Sequence, residues 1–91
     1  MSQPGRPAYK VLFTPTARED YESIRDTKLK RGINRIIEKL KENPYQFKPL
    51  SGPLAGFRSA KTFSFRVLYR IIDKQLIVVV ITIEHRKQVY R

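Results

Sequence analysis

Residues 63–85 read FSFRVLYRIIDKQLIVVVITIEH, and their pattern decides the fold. Phe63, Phe65, Val67, Tyr69 and Ile71 alternate with Ser64, Arg66, Leu68, Arg70 and Ile72. A period of two sends successive side chains to opposite faces of a sheet, so the aromatics share one face and Arg66 and Arg70 the other. Asp73-Lys74-Gln75 is a polar break suited to a hairpin turn. Leu76 to Ile83 is then a continuous apolar run rich in β-branched residues, the pattern of a central strand buried on both faces.

Working outward, a shorter strand is expected from Phe57 to Lys61, preceded by a loop region that holds Pro44, Pro49, Gly52, Pro53 and Gly56. Upstream, Leu29, Ile33, Ile36, Ile37 and Leu40 form one apolar stripe at helical spacing. Asn43-Pro44 ends that helix, because proline pushes its predecessor out of the α region. The basic residues Lys28, Lys30, Arg31, Arg35 and Lys39 fall largely off the stripe; they could contact phosphates, but such a run reads first as a solvated face. Thr14-Pro15 opens an earlier helix: a hydroxyl caps the first amides and proline occupies the first helical position. Ala17, Tyr21 and Ile24 give it an apolar side. Tyr9, Val11 and Phe13 alternate as a short first strand, and residues 1–8 read as a loose tail. The order β-α-α-β-β-β predicts a single α+β domain over residues 9–91, with two helices packed on one face of a small antiparallel sheet.

At 91 residues and 41% hydrophobic content the chain is long enough for one modest core. With no cysteine, disulfides and thiolate metal sites are excluded. The apolar run at Leu76–Ile83 is far too short for a membrane span, and the N-terminus lacks the apolar stretch of a signal peptide. A cytoplasmic location without membrane contact is therefore expected. Charge is the most informative bulk property: 19 Lys and Arg against 8 Asp and Glu give +11 at pH 7. An excess of this size in a small domain points to a polyanion or an acidic protein as partner. It is also unevenly placed, since from Pro44 onward the only acids are Asp73 and Glu84.

The sequence has no phosphate-binding glycine loop, paired-histidine metal motif or nucleophile elbow. What remains is a basic constellation: Arg58, Lys61, Arg66, Arg70, His85, Arg86 and Tyr90. If the helices cover one face of the sheet, these side chains are expected to converge on the other, with a hairpin partner bringing Arg58 beside Arg66. Clustered cations repel one another unless an anion is expected among them, and guanidinium groups bind phosphate bidentately. The blander reading pairs Arg66 and Arg70 with Glu84 and Asp73 as surface ion pairs, but two acids cannot neutralise the set.

Three segments of the C-terminal half resemble the RelE/ParE toxin superfamily. Leu50-Ser51-Gly52-Pro53-Leu54-Ala55-Gly56-Phe57-Arg58 is similar to its L-x-G-x-L-x-G-x-[RK] segment, and Phe65-Arg66-Val67-Leu68-Tyr69-Arg70-Ile71 to its [YF]-R-[VL]-[LIV]-Y-x-[IV] strand. Ile83-Glu84-His85-Arg86-Lys87-Gln88-Val89-Tyr90-Arg91 is similar to its terminal I-x-H-R-x-x-V-Y-R. The N-terminal Tyr9–Phe13, the A-x-x-D-Y at Ala17–Tyr21 and the Leu40 to Pro44 helix end fit as well.

The resemblance implies the fold already read from the periodicities and a toxin held in check by a small acidic RelB-like antitoxin. Its RelE branch implies a ribosome-dependent endoribonuclease that cleaves mRNA in the A site without metal or other cofactor. There the ribose 2′-hydroxyl attacks the adjacent phosphate, leaving a 2′,3′-cyclic phosphate and a 5′-hydroxyl. Carried onto this chain, the resemblance implies roles for Arg58, Arg66, Arg86 and Tyr90. A second basic position of the first C-terminal strand falls at Ala60, with Lys61 beside it. Arg66 and Arg86 would stabilise phosphorane charge, Tyr90 would orient, protonate or stack, and His85 is a candidate acid or base by its ordinary pKa. Arg70, Lys87 and Lys48 are the expected further RNA contacts. The alternatives are a ParE-like poison of DNA gyrase on the same fold, or a catalytically dead toxin that only binds its antitoxin.

Overall fold

The structure is a computed structural model that describes residues 8–62 and 64–85. Residues 1–7 of the expected tail, Phe63, and the candidate residues Arg86, Lys87 and Tyr90 lie outside the described residues.

Strand β1 (Lys10–Phe13) leads into helices α1 (Pro15–Glu22) and α2 (Thr27–Glu42). Strands β2 (Lys48–Pro49), β3 (Arg58–Lys61), β4 (Phe65–Ile72) and β5 (Ile77–His85) follow. The five strands form one sheet in the order β1-β5-β4-β3-β2. The sheet is mixed rather than purely antiparallel, because β1 pairs in parallel with β5. Periodicity carries no information on strand direction. The two helices form the crossover that returns the chain to the far side of the sheet, leaving β5 to fill the place beside β1. Lys48–Pro49, expected as loop, is a two-residue edge strand on β3.

Thr14 ties this crossover together. Its Oγ1 accepts the Ala17 amide at 3.0 Å as the cap of α1 and donates to the Ile81 carbonyl at 2.7 Å. A cap of this kind stabilises a helix by about 1 kcal/mol. Asp26 caps α2 in the same way, its carboxylate accepting the Lys28 amide at 2.8 Å. From α2, Ile33, Ile36 and Leu40 are buried against Ala60, Phe65, Val67, Tyr69, Val78, Val80 and Ile83 of the sheet. Each fully buried side chain of this size contributes roughly 1.5–3 kcal/mol.

β5 contains a bulge: Tyr69 pairs with Val80 and Leu68 with Thr82, so Ile81 is an extra residue. The bulge shifts the phase of the strand, bringing Ile83 to the helix-covered face with Val78 and Val80 and sending Thr82 to the other. Asp20 of α1 accepts the amide of Ile83 at 3.0 Å. Burial on both faces, expected for this strand, is not observed. Val78, Val80 and Ile83 are buried, whereas Ile77, Val79 and Ile81 are only half-buried, because both helices pack on one side. No helix among the described residues is long and apolar enough to cross a membrane.

Candidate functional site

The face of the sheet away from the helices is built from alternate positions on four strands. Residues directly opposite one another in an antiparallel ladder share a face. Lys61 stands opposite Arg66, and Arg66 opposite Glu84. Ser59 and Thr82 flank Leu68 on either side, Arg70 lies opposite Val79, and Lys48 opposite Ser59. The structure thus brings Lys48, Lys61, Arg66 and Arg70 onto one face.

It does not bring Arg58 and His85 there. Arg58 pairs with Tyr69, one of the core residues, and so lies on the helix side. Its Nη1 donates to the carbonyls of Phe47 at 2.7 Å and Tyr45 at 3.1 Å, and its guanidinium lies 5.1 Å from the centre of the Tyr45 ring. The expected neighbour of Arg66 is therefore Lys61 and not Arg58. The register sets the β3–β4 connection so that Lys61, the last residue of β3, meets Arg66 near the start of β4. His85 pairs with Phe65, also a core residue, and its ring meets that of Phe65 edge-on at 4.9 Å. It borders a cavity of about 550 Å³ beside the α1–α2 connection, lined also by Asp20, Arg25 and Asp26.

On the open face, three polar atoms are buried without a hydrogen-bond partner among the described residues: Ser59 Oγ, Arg66 Nε and Thr82 Oγ1. They belong to three adjoining strands and surround Leu68. A buried donor left unpaired costs about 1–3 kcal/mol, so this cluster is open to a polar ligand or to water. The surface ion pairs of the blander reading are not formed. Among the described residues the one ion pair is Lys41–Glu38 at 3.1 Å, and Asp73 instead accepts the hydroxyls of Tyr45 at 2.7 Å and Tyr9 at 2.9 Å. Arg66 thus faces an exposed Glu84 across the ladder without pairing to it. Ser59 and Thr82 are the residues that sequence reasoning missed. Counting back by two from Lys61 finds Ser59, but Thr82 changes face only through the bulge at Ile81.

A second polar cluster sits at the opposite end of the strands. The Asp73 carboxylate is held below its ordinary pKa by the hydroxyls of Tyr45 and Tyr9. Partial burial and the bond to Asp73 push Tyr9 up to about 12, and the same carboxylate raises Tyr45. Tyr69 is pushed to about 12 by burial, with Arg58 opposing. These tyrosines are protonated donors at neutral pH, and Tyr69 gives its proton to the Pro44 carbonyl at 2.6 Å.

Comparison with known proteins places this geometry among related chains. The sequence model of a family described as the ParE toxin of the type II toxin–antitoxin system parDE matches residues 11–90. The chain is 37% identical over 84 residues to toxin RelG of Mycobacterium tuberculosis, covering 91% of this chain and 97% of that protein. It is 32% identical over 84 residues to toxin RelE of the same organism, covering 91% and 87%. Among solved structures, the toxin–antitoxin complex RelBE2 from M. tuberculosis matches with a TM-score of 0.79 and 34% identity over 88% of this chain and 93% of that one. The isolated RelE toxin of E. coli shares the fold, with a TM-score of 0.74 at 21% identity over 91% and 92%.

Proposed function

The chain belongs to the RelE/ParE family of toxins of type II toxin–antitoxin systems, and from that premise we propose that it is a ribosome-dependent endoribonuclease that cleaves mRNA in the A site without metal. The observation that carries this reading is the trio of Ser59 Oγ, Arg66 Nε and Thr82 Oγ1, buried and without a partner among the described residues on a face that also holds Lys61 and Arg70. Two hydroxyls and a guanidinium complement a ribose phosphate: the guanidinium meets phosphate oxygens, and the hydroxyls donate or accept as the sugar requires. The identity to relatives named RelG and RelE also favours RNA.

In the proposed reaction the ribose 2′-oxygen attacks the neighbouring phosphorus and the bond to the 5′-oxygen breaks. Arg66 and Lys61 meet the negative charge that grows on the phosphorane, with Arg86 as a third cation. As the 2′-hydroxyl attacks, its proton passes to solvent, and Tyr90 gives one to the leaving 5′-oxygen, since arginine stays protonated; the ribosome supplies the in-line geometry that so weak an acid–base set cannot. Arg70, Lys48 and Lys87 contact the flanking phosphates. Arg58 and His85 have no part in this step. A cognate acidic antitoxin would cover the basic face and the exposed Leu12 beside Val79, in the compartment that holds the ribosomes. The test is primer extension on a defined mRNA in a programmed ribosome complex, beside the same RNA free in solution. Cleavage confined to the A-site codon and absent on free RNA is the expected result; intact mRNA with folded protein overturns it.

The ParE description of the matching family model favours a second reading, inhibition of DNA gyrase. Loss of supercoiling with accumulation of cleaved DNA, and mRNA left intact, would select it.

A further inference from the structure

The basic side of α2, which reads from sequence as a solvated face, forms one wall of a groove of about 320 Å³. The other wall is the β3–β4 connection. Lys28, Arg35 and Lys39 line the first wall, and Lys61, Thr62 and Ser64 the second. No lining residue is acidic, and none of the four cations makes an ion pair among the described residues. Helical rise places Lys28 about 10 Å from Arg35 and Arg35 about 6 Å from Lys39, a line of charge along one side of the helix. The floor is open at Gly32, where an added Cβ would meet only Thr62 Cγ2 at 3.9 Å.

Lys61 joins this groove to the face that carries Arg66. Among the described residues β2 pairs only with Arg58 and Ser59, and no described strand covers the Lys61 end of β3. From that end one side chain both stands opposite Arg66 and lines the groove. A strand bound at Arg66 can therefore turn over this end and continue along α2 without leaving positive potential.

We propose that this groove is a second RNA site, binding ribose-phosphate backbone through Lys28, Arg35 and Lys39 and supplying affinity rather than catalysis. The inference rests on the RNA reading given above. A line of cations with no acid in its lining, joined through Lys61 to the face of Arg66, suits a polyanion that continues from that face. The strand is either the mRNA beyond the cleaved position or ribosomal RNA at the A site, and the two share this backbone chemistry.

The test compares wild-type protein with a Lys28→Gln/Arg35→Gln/Lys39→Gln variant, all three positions being exposed on one helix where glutamine keeps helix propensity. Binding is measured by co-sedimentation with ribosomes and by anisotropy of a short fluorescent single-stranded RNA, each as a function of salt. The expected result is weaker binding and a slope of log affinity against log salt shallower by about 2, the loss of three phosphate contacts on a single strand. A-site cleavage at saturating ribosome should keep its rate. A change seen with both probes assigns the groove to the mRNA strand, and a change with ribosomes alone assigns it to ribosomal RNA; either supports the proposal. Unchanged affinity and slope with both probes overturn it, as does weakened binding of the cognate antitoxin with RNA binding intact. Gly32→Glu, which sets a carboxylate on the groove floor, should reproduce the loss, with Gly32→Ala as the neutral control. Because binding is read without cleavage, a wild-type protein that binds RNA through the groove but cuts nothing would refute the nuclease reading and leave this one standing.

Discussion

Lys61 and Arg66 stand directly opposite each other across the β3–β4 ladder, two cations on adjoining strands. Like charges in this relation destabilise a sheet. The nearest acid in register, Glu84, lies across the ladder from Arg66 and is not paired with it. Folding has therefore brought together groups that repel each other, and an anion between them would relieve the repulsion. Sites that trade stability for preorganised charge behave in this way.

Replacing Lys61 by glutamine should therefore raise the unfolding free energy by about 0.2–1 kcal/mol, the scale of one cross-strand charge pair. It should at the same time slow A-site cleavage. Urea unfolding at low salt checks the first effect, and the gain should shrink as salt is added. A stability that falls on this substitution would mean that Lys61 is a structural residue.

Tyr69 is fully buried and its hydroxyl is the partner of the Pro44 carbonyl at the end of α2. Tyr69→Phe keeps the ring and orphans that carbonyl, so a loss of about 1–3 kcal/mol is expected in chemical denaturation. RNA binding should be unchanged, since the buried hydroxyl reaches neither the face of Arg66 nor the groove beside α2.

The cluster of Asp73, Tyr45 and Tyr9 gives stability a pH dependence with two limbs. Asp73 is depressed below its ordinary 3.8, so its contribution is present above that value and lost as pH falls through the lower folded value. Tyr9 is raised from 10.0 to about 12 and Tyr45 is raised in the same sense, so their contribution is present below pH 10 and lost as pH climbs toward 12. In Asp73→Asn the acid limb should flatten, and spectrophotometric titration should show two tyrosines ionising earlier while Tyr69 keeps its high value. Superimposable titration curves for the two proteins would rule the cluster out as their cause.

Much of the fold was legible because its periods are unambiguous. The alternation from Phe65 to Ile72 and the stripe from Leu29 to Leu40 both match the observed burial. The Thr14-Pro15 start and the Asn43-Pro44 stop were readable as local chemistry. The parallel pairing of β1 with β5 was not, since side-chain period says nothing of direction. Of the candidate site, Arg66 and Arg70 followed from alternation alone. Arg58 and His85 were misplaced because their faces depend on the register of β3 against β4 and on the bulge at Ile81, both set by long-range pairing.

Gly32 lies in the middle of α2, and a Cβ there would make only ordinary contact with Thr62. Glycine costs a helix interior roughly 0.5–1 kcal/mol relative to alanine. Gly32→Ala should therefore stabilise the protein by about that amount, seen as a raised thermal midpoint with unchanged RNA affinity. Destabilisation would show that the α2–turn approach is tighter than this geometry.

The sharpest prediction separates two arginines that sequence had placed together. Arg58 spends its guanidinium on the Phe47 and Tyr45 carbonyls and packs on the Tyr45 ring. Arg66 has a buried Nε without a partner among the described residues. Arg58→Met should cost about 2–3 kcal/mol of stability, the scale of charge-assisted hydrogen bonds, and leave the cleavage rate of the folded fraction near wild type. Arg66→Met keeps the apolar stem while removing an unsatisfied donor and a repelled charge, so stability should hold or rise. Its cleavage rate should fall by about 10²–10³-fold, as when one preorganised donor to a developing oxyanion is lost. Thermal unfolding and single-turnover cleavage on the same two preparations decide it. The opposite pattern, activity lost with Arg58 and stability lost with Arg66, would move the site to the helix side of the sheet.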